Sequence, residues 1–401
     1  MTLAAGQPFS AAALPGTELE LSIVMPCLNE ADTLASCVGK ARRAMAEAGI
    51  AGEVIVADNG STDGSQAIAE REGGRVVPIA MRGYGSALMG GIAAARGRYV
   101  LMGDADDSYD FLESARFLGP LRAGAQLVQG CRLPSGGGTV APGAMPFLHR
   151  WWGNPMFSAM ARRWYGAPIH DIYCGMRAFR RDLIEPLDLR CTGMEFATEM
   201  IIKATIHGAR ITEVPITLHK DGRTTHAPHL RTFRDGWRTL RFFLMYSPRW
   251  LFLMPGLLLG FAGLLCYALA LPQVTIGRVT FDVHTLLFGS LAIICGFQSI
   301  LFAVMTKTFA ATVGMLPMDP RLSRAYALLN LERGLIVAGL TMVLGLALLG
   351  VAIAQWVAVD FGALNYARTM RWVIPGVTLT TLGWQAILSG FFLSILGLSR
   401  R

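Results

Sequence analysis

The sequence predicts an α/β domain built on a mostly parallel sheet, followed by a helical membrane domain of four spans. Three observations carry this expectation. Short apolar runs alternate with helix-like segments, carboxylates and glycines gather where those runs end, and formal charge nearly vanishes beyond residue 249.

The apolar runs are LSIVMP from 21, EVIVAD from 53, RVVPIA from 75, RYVLMG from 98 and AQLVQG from 126. Helical segments are expected between the first four, at 30–48, 62–72 and 85–96. Strands alternating with helices imply a parallel sheet covered on both faces. In open sheets of this kind ligands bind outside the carboxyl ends of the strands. Those ends read PCLNE, DNGSTDGS and GDADDSYD.

The membrane domain rests on uncharged stretches. No formal charge falls between Arg249 and Arg278, from Gly334 to Val359, or from Trp372 to Ser399, and a shorter run covers Thr285 to Thr306. Each is longer than the ~18 residues that mark a transmembrane helix, giving spans at about 250–271, 285–306, 334–358 and 374–397. Of 401 residues 53% are hydrophobic and 16% charged, a balance that excludes an ordinary soluble protein. Seven basic residues from Lys220 to Arg249 precede the first span. Lys307, Arg321, Arg324 and Arg333 lie between spans two and three, and Arg400 and Arg401 follow the last. The opposite loops hold only Arg278, Arg368 and Arg371. Basic residues stay on the cytoplasmic side, so both termini and the α/β domain are expected there, at the cytoplasmic membrane.

Residues 1–18 lack a basic n-region and a sustained apolar core, and read as a flexible tail rather than a signal peptide. The seven cysteines form no CxxC pair and read as small apolar residues in a reducing compartment.

The chemistry begins at Asp104 and Asp106. Two residues apart at a strand end, their carboxylates point the same way. Hard oxygen ligands suit Mg²⁺ or Mn²⁺, which bind few carboxylates and complete their shell from substrate phosphates. Asp110 reads as a cap for the segment FLESARFL. In DNGSTDGS, capping of the next helix accounts for Ser61, Thr62 and Asp63 but not for Asp58. The glycines of MRGYGSALMGG, Gly83 and Gly85 among them, can let backbone amides approach phosphates; tight turns and close helix packing use glycine equally. Glu195 and Glu199 fall at i and i+4, so one of them is expected to meet substrate or an arginine, with two surface glutamates as the alternative. The Gly- and Pro-rich stretch 133–146 reads as a mobile active-site loop.

With VMPCLNE, DNGSTDGS, GDADD, GCR, DIYCGMRAF and GMEFATEM in this order, the chain resembles family 2 glycosyltransferases of the GT-A fold. Within them it looks like the polyprenyl-phosphate glycosyltransferases, such as dolichyl-phosphate mannose or glucose synthases. The resemblance covers residues 20 to 250. It implies that Pro26, Asn29, Glu30 and Asp58, with Gly83 and Gly85, line the nucleotide-sugar pocket. Asp104 and Asp106 would be the metal-binding pair, and Arg132 would face the diphosphate or the acceptor phosphate. Asp171 and Arg177 would lie beside the donor sugar, with Arg177 and Arg223 near the acceptor phosphate; independently of the resemblance, the basic stripe of the following helix is expected to add Arg231 and Arg234 there. Two positions depart from the pattern. Asn59 stands where the family often has a second Asp, and Tyr84 where it often has Lys or Arg, leaving phosphate contact there to backbone amides or Arg82.

From 229 to 249 an amphipathic interfacial helix is expected. Leu230, Phe233, Trp237, Leu240 and Leu244 form one stripe, with Arg231, Arg234, Arg238 and Arg241 one residue on. The expected domains are therefore a tail (1–18), a GT-A domain (19–228), this helix (229–249) and the membrane domain (250–401). The function implied is inverting transfer of a hexose from a nucleotide sugar, a UDP-sugar or GDP-mannose, to a polyprenyl phosphate. Its expected partners are that donor, that acceptor and membrane lipids, with no nucleic acid; self-association stays open. Two alternatives make different demands on the sequence. A processive polysaccharide synthase would carry QxxRW, which MARRW at 160 only approaches, and a transporter with a sugar-sensing domain would not need the two acids intact.

Overall fold

The computed structural model describes residues 19–224, 232–312 and 331–397. It divides into two compact units that meet in sequence at Phe242 and Phe243.

In the first unit nine strands form: β1 (Leu21–Cys27), β2 (Gly52–Asp58), β3 (Arg75–Pro78), β4 (Tyr99–Met102), β5 (Leu127–Cys131), β6 (Thr139–Val140), β7 (Arg177–Arg180), β8 (Ile211–Pro215) and β9 (Thr217–Leu218). Seven of them make one sheet in the order β3-β2-β1-β4-β7-β5-β8. All neighbours are parallel except β7, which runs antiparallel to both β4 and β5. Every residue of β1 is buried, because helices cover the sheet on both faces and a parallel strand then reads as one apolar run. The core packs β1, β2 and β4 against Leu34, Cys37, Val38 and Ala41 of α1 (Leu34–Glu47).

The expected helices are present, shorter than their patterns: α2 covers Ser65–Arg71 and α3 covers Tyr84–Ala93. Further helices are α4 (Ala115–Arg122), α5 (Asn154–Tyr165), α6 (Ile184–Leu187) and α7 (Phe196–Ile206). The stretch 133–146 is more regular than its composition suggested. Its Thr139–Val140 pairs parallel with Thr217–Leu218 and Val140 is buried. Gly136 makes room for this fold-back, since a Cβ there would collide with the Cys131 sulfur.

α8 (Thr232–Met245) buries Thr239, Phe242 and Phe243 while Phe233 and Trp237 stay 84% and 60% exposed. Of the stripe read from sequence, Phe233 and Trp237 are left uncovered, Leu240 and Leu244 are half-buried and Leu230 lies outside the described residues; Arg234, Arg238 and Arg241 are exposed. That pairing of aromatic and arginine side chains suits a lipid–water boundary.

The second unit holds α9 (Met254–Ala270), α10 (Val283–Thr312), α11 (Leu331–Val357) and α12 (Tyr366–Gly397). All four are long and apolar enough to cross a membrane, the first with a preceding wide turn from Arg249. α12 begins upstream of its apolar run, and there Arg371 pairs with Asp282 at 2.8 Å. Close backbone approach joins α9 to α10, where a Cβ on Gly263 would lie 2.6 Å from the Gly289 oxygen. Hydroxyls of Tyr267, Ser290 and Thr378 link α9, α10 and α12.

Candidate active site

The carboxyl ends of β1, β2 and β4 meet along one edge of the sheet, and the acids of the sequence converge there. Asp104 follows β4 after a single residue, Gly103. Its Oδ1 accepts from the Tyr84 hydroxyl at 2.8 Å. Burial and the neighbouring Asp106 push its carboxyl up to about 6, against the pull of Tyr84, Arg223 and Arg132. Asp106 accepts from the Ser108 amide and hydroxyl through Oδ1 and lies 3.2 Å from Arg223 Nη1 through Oδ2. Asp110 caps the turn Phe111–Ser114 by accepting from the Leu112 amide.

Two half-buried carboxylates side by side, with Asp104 made harder to ionise by its neighbour, form a site that favours a cation. No group of three or more His, Cys, Asp or Glu able to hold a metal occurs among the described residues. Asp104 and Asp106 therefore fit a divalent ion only if it draws further oxygens from substrate, the usual habit of Mg²⁺.

Arg223 now neutralises this edge. Its guanidinium donates to both oxygens of Glu30 at 2.7 and 2.6 Å and to Asp221 at 2.7 Å. It arrives because the segment after β9 runs beside the acidic loop, with Gly222 N donating to the Asp106 carbonyl. Glu30 is thus a partner of Arg223, 5% exposed.

Arg132 follows β5 and is held by Asp171, which is fully buried. Arg132 Nε and Nη2 donate to the two oxygens of Asp171 at 2.7 and 2.9 Å, and its amide adds a third bond. The remaining Nη1 reaches only the Tyr109 hydroxyl, at 3.4 Å. The Tyr173 amide also donates to Asp171. Asp171 therefore orients an arginine, with both of its oxygens engaged by donors.

Other expected residues occupy structural positions here. Asp58 accepts from the amides of Gly60 and Ser61 and from the Gln66 side chain, which gives it a structural role that helix capping does not supply. Burial raises its pKa, but these bonds outweigh that and hold it below the usual range. Asn29, at φ 60°, accepts from the Thr62 amide, and Pro26 is buried within β1 beside Ala57. Ser61 and Thr62 do not cap α2, which starts only at Ser65; Asp63 accepts from the Ser65 amide instead.

Gly83 and Gly85 do not offer their amides to a phosphate. The Gly83 amide donates to Asn59 Oδ1 at 2.7 Å and that of Gly85 to the Thr192 carbonyl at 2.9 Å. Side chains there would collide with the Thr192 and Cys191 carbonyls. Close packing is the reason for these glycines. Asn59 also donates to the carbonyls of Ile79 and Met81, which an aspartate could not do.

Arg177 is fully buried and donates to the carbonyls of Ala197, Cys174 and Ile172. In this conformation it braces the 172–174 turn and is not presented to an acceptor phosphate. Glu199, 1% exposed, accepts from the Arg190 and Cys191 amides and pairs with Lys203. It meets a lysine, not an arginine, and fixes the loop on which Gly85 rests. Arg234 lies exposed on α8, and Arg231 falls outside the described residues. Tyr84, Tyr109 and Asp221 belong to the cluster without having been expected. Only Tyr84 gave a signal, as a departure from the family pattern.

The chain matches the family model "Glycosyl transferase family 2" over residues 22–187 and the model "Glycosyltransferase family 2 C-terminal transmembrane region" over 304–397. It is 38% identical over 379 residues to the low-salt glycan biosynthesis hexosyltransferase Agl6 of Haloferax volcanii, covering 94% of this chain and 89% of that protein. It is 33% identical over 198 residues to the dolichyl-phosphate hexose transferase of the same organism, covering 49% and 82%. To the polyprenol monophosphomannose synthase of Mycolicibacterium smegmatis it is 31% identical over 213 residues, covering 49% and 76%.

Proposed function

Starting from a chain that belongs to glycosyltransferase family 2 and is an integral membrane protein, we propose that it transfers a hexose, with inversion, from a nucleotide sugar to a polyprenyl phosphate at the cytoplasmic face. A UDP-sugar is the favoured donor. The observation that carries the reading is one sheet edge holding the acid pair Asp104 and Asp106 between two restrained guanidiniums, Arg132 and Arg223. An acid pair serves a metal–diphosphate, and two arginines serve a second anion. The names of the relatives, a dolichyl-phosphate hexose transferase and a polyprenol monophosphomannose synthase, support a lipid phosphate as that anion.

Asp104 and Asp106 would hold Mg²⁺ or Mn²⁺, which neutralises charge on the departing diphosphate. The chain's own part is positioning. Asp171 fixes Arg132 so that Nη1 is the edge left for an anion. Arg223 exchanges carboxylate partners for phosphate oxygens, which it meets in the same bidentate geometry. The nucleophile is a phosphate monoester with a second pKa of about 6, already mostly dianionic at neutral pH. A general base is therefore unnecessary, in keeping with the engagement of both Asp171 oxygens by donors.

The surface of the catalytic unit supports a lipid acceptor. Phe147, Leu148, Trp151, Trp152 and Met156 are all exposed, and no Asp or Glu occurs from Ser114 to His170. Exposed tryptophan beside Arg150, Arg162 and Arg163 matches an anionic membrane surface. The inner face of the same element touches the site. Phe157 packs edge-on against Tyr173 at 5.5 Å, and Ser158 accepts from the Ile172 amide.

The test is nucleotide release by the purified protein with Mn²⁺ and a panel of nucleotide sugars, with and without polyprenyl phosphate. Release that depends on the lipid phosphate is expected, and is lost in Asp106→Asn. Equal release without the acceptor, or full activity in excess EDTA, would overturn the assignment.

A further inference from the structure

We propose that Tyr84 is a positioning residue for Asp104, holding that carboxylate in place for a divalent cation without cancelling its charge. The inference rests on the metal reading above.

The loop before α3 and the first turn of that helix are clamped from two sides. Asn59 binds the Gly83 amide and the carbonyls of Ile79 and Met81, while the Thr192 carbonyl takes the Gly85 amide. With the Gly83 and Gly85 amides spent on the protein, the Tyr84 hydroxyl is the group this segment presents to the acidic edge. The clamp aims it at Asp104 Oδ1, 2.8 Å away. On the other side Asp104 Oδ2 lies over Gly175, where an added Cβ would come within 2.8 Å. Tyr84 and the Gly175 backbone thus bracket the carboxylate and select one rotamer.

The chemistry of the phenol decides its use. A lysine or arginine at position 84 would pair with Asp104 and compete with a metal for it. A neutral hydroxyl donates one hydrogen bond, stabilises the ionised carboxylate and leaves its net charge to the cation. The site then relies on the metal for positive charge at the diphosphate, because residue 84 supplies none.

The experiment measures Mn²⁺ affinity of the full-length protein in detergent by electron paramagnetic resonance of free Mn²⁺, with UDP at one fixed concentration to supply the phosphate oxygens and a protein-free control. Tyr84→Phe should weaken binding about tenfold, the usual worth of one hydrogen bond to a charged group, and Tyr84→Lys should weaken it further. Melting in EDTA should stay near wild type in both. At saturating Mn²⁺, Tyr84→Phe should recover kcat to within about twofold, the loss appearing in the metal and donor KM. An unchanged Mn²⁺ affinity in Tyr84→Phe, or wild-type affinity in Tyr84→Lys, overturns the proposal. Wild-type protein that binds no Mn²⁺ overturns the metal reading beneath it, which separates the two failures.

Discussion

Arg132 and Asp171 are joined by three hydrogen bonds, two of them between the guanidinium and the carboxylate, in a place where Asp171 has no exposure at all. Such a pair fixes geometry more than it adds stability. Breaking it from one side leaves a buried charge with no counterpart.

Asp171→Asn should therefore lower stability by about 3–5 kcal/mol and reduce activity through a misplaced Arg132. The pH profile of the remaining activity should keep its shape. Thermal melts and a pH–rate profile check this; disappearance of a carboxylate limb from the profile would make Asp171 a base after all.

Arg223→Gln should act in opposite directions on two measurements. Removing the cation 3.2 Å from Asp106 should tighten Mn²⁺ binding severalfold, while kcat/KM for the lipid phosphate falls at least tenfold. Metal titration and acceptor kinetics on one preparation would show it. Parallel losses in both would indicate general disruption around Glu30.

The raised pKa of Asp104, about 6 against 3.8, sets a pH dependence. A group raised in the fold stabilises the metal-free protein fully below its unfolded value, and loses that contribution as pH rises through about 6. A cation needs the ionised form and must displace the proton below that pH. Mn²⁺ added in the presence of UDP should raise Tm more at about pH 7.5 than at about pH 5. Equal shifts at the two pH values would contradict the assignment.

Gly85→Ala tests the packing reading of the glycine loop. Its methyl would meet the Cys191 carbonyl and the Phe196 side chain, so a loss of about 1–3 kcal/mol is expected. Wild-type stability with weakened nucleotide binding would restore the phosphate role of this loop.

Trp151→Ser with Trp152→Ser should raise KM for a long-chain polyprenyl phosphate in bilayers severalfold and leave a short, water-soluble analogue unaffected. An equal change for both acceptors would detach the aromatic surface from lipid recognition.

Much of the fold was open to reading because burial on both faces makes β1, β2, β4 and β5 continuous apolar runs. Strand β7 was not. Its four residues, Arg177–Arg180, include two arginines, and an antiparallel strand inserted among parallel ones leaves no periodic trace. At the site, acids at strand ends announced themselves, since carboxylates near an apolar core need a reason. What occupies them did not. That Glu30 is taken by Arg223, 193 residues away, depends on tertiary closeness, and the sequence around either residue is silent about it. The glycines were ambiguous for a physical reason: close packing and phosphate approach both require a missing Cβ.

The central place of β7 has a consequence for biogenesis. β4 and β5 do not touch through their own hydrogen bonds; both pair with β7, at Leu101↔Ala178 and Val128↔Ala178. Until the ribosome has released residue 180, each of these strands presents an open edge able to pair with another chain. The nascent domain thus carries two sticky borders through a long interval of translation, and the acids after β4 cannot be brought beside Arg132 before that keystone arrives. Chains stopped within residues 132–176 should aggregate, whereas one released shortly after Pro215 has every strand of the main sheet and can close it.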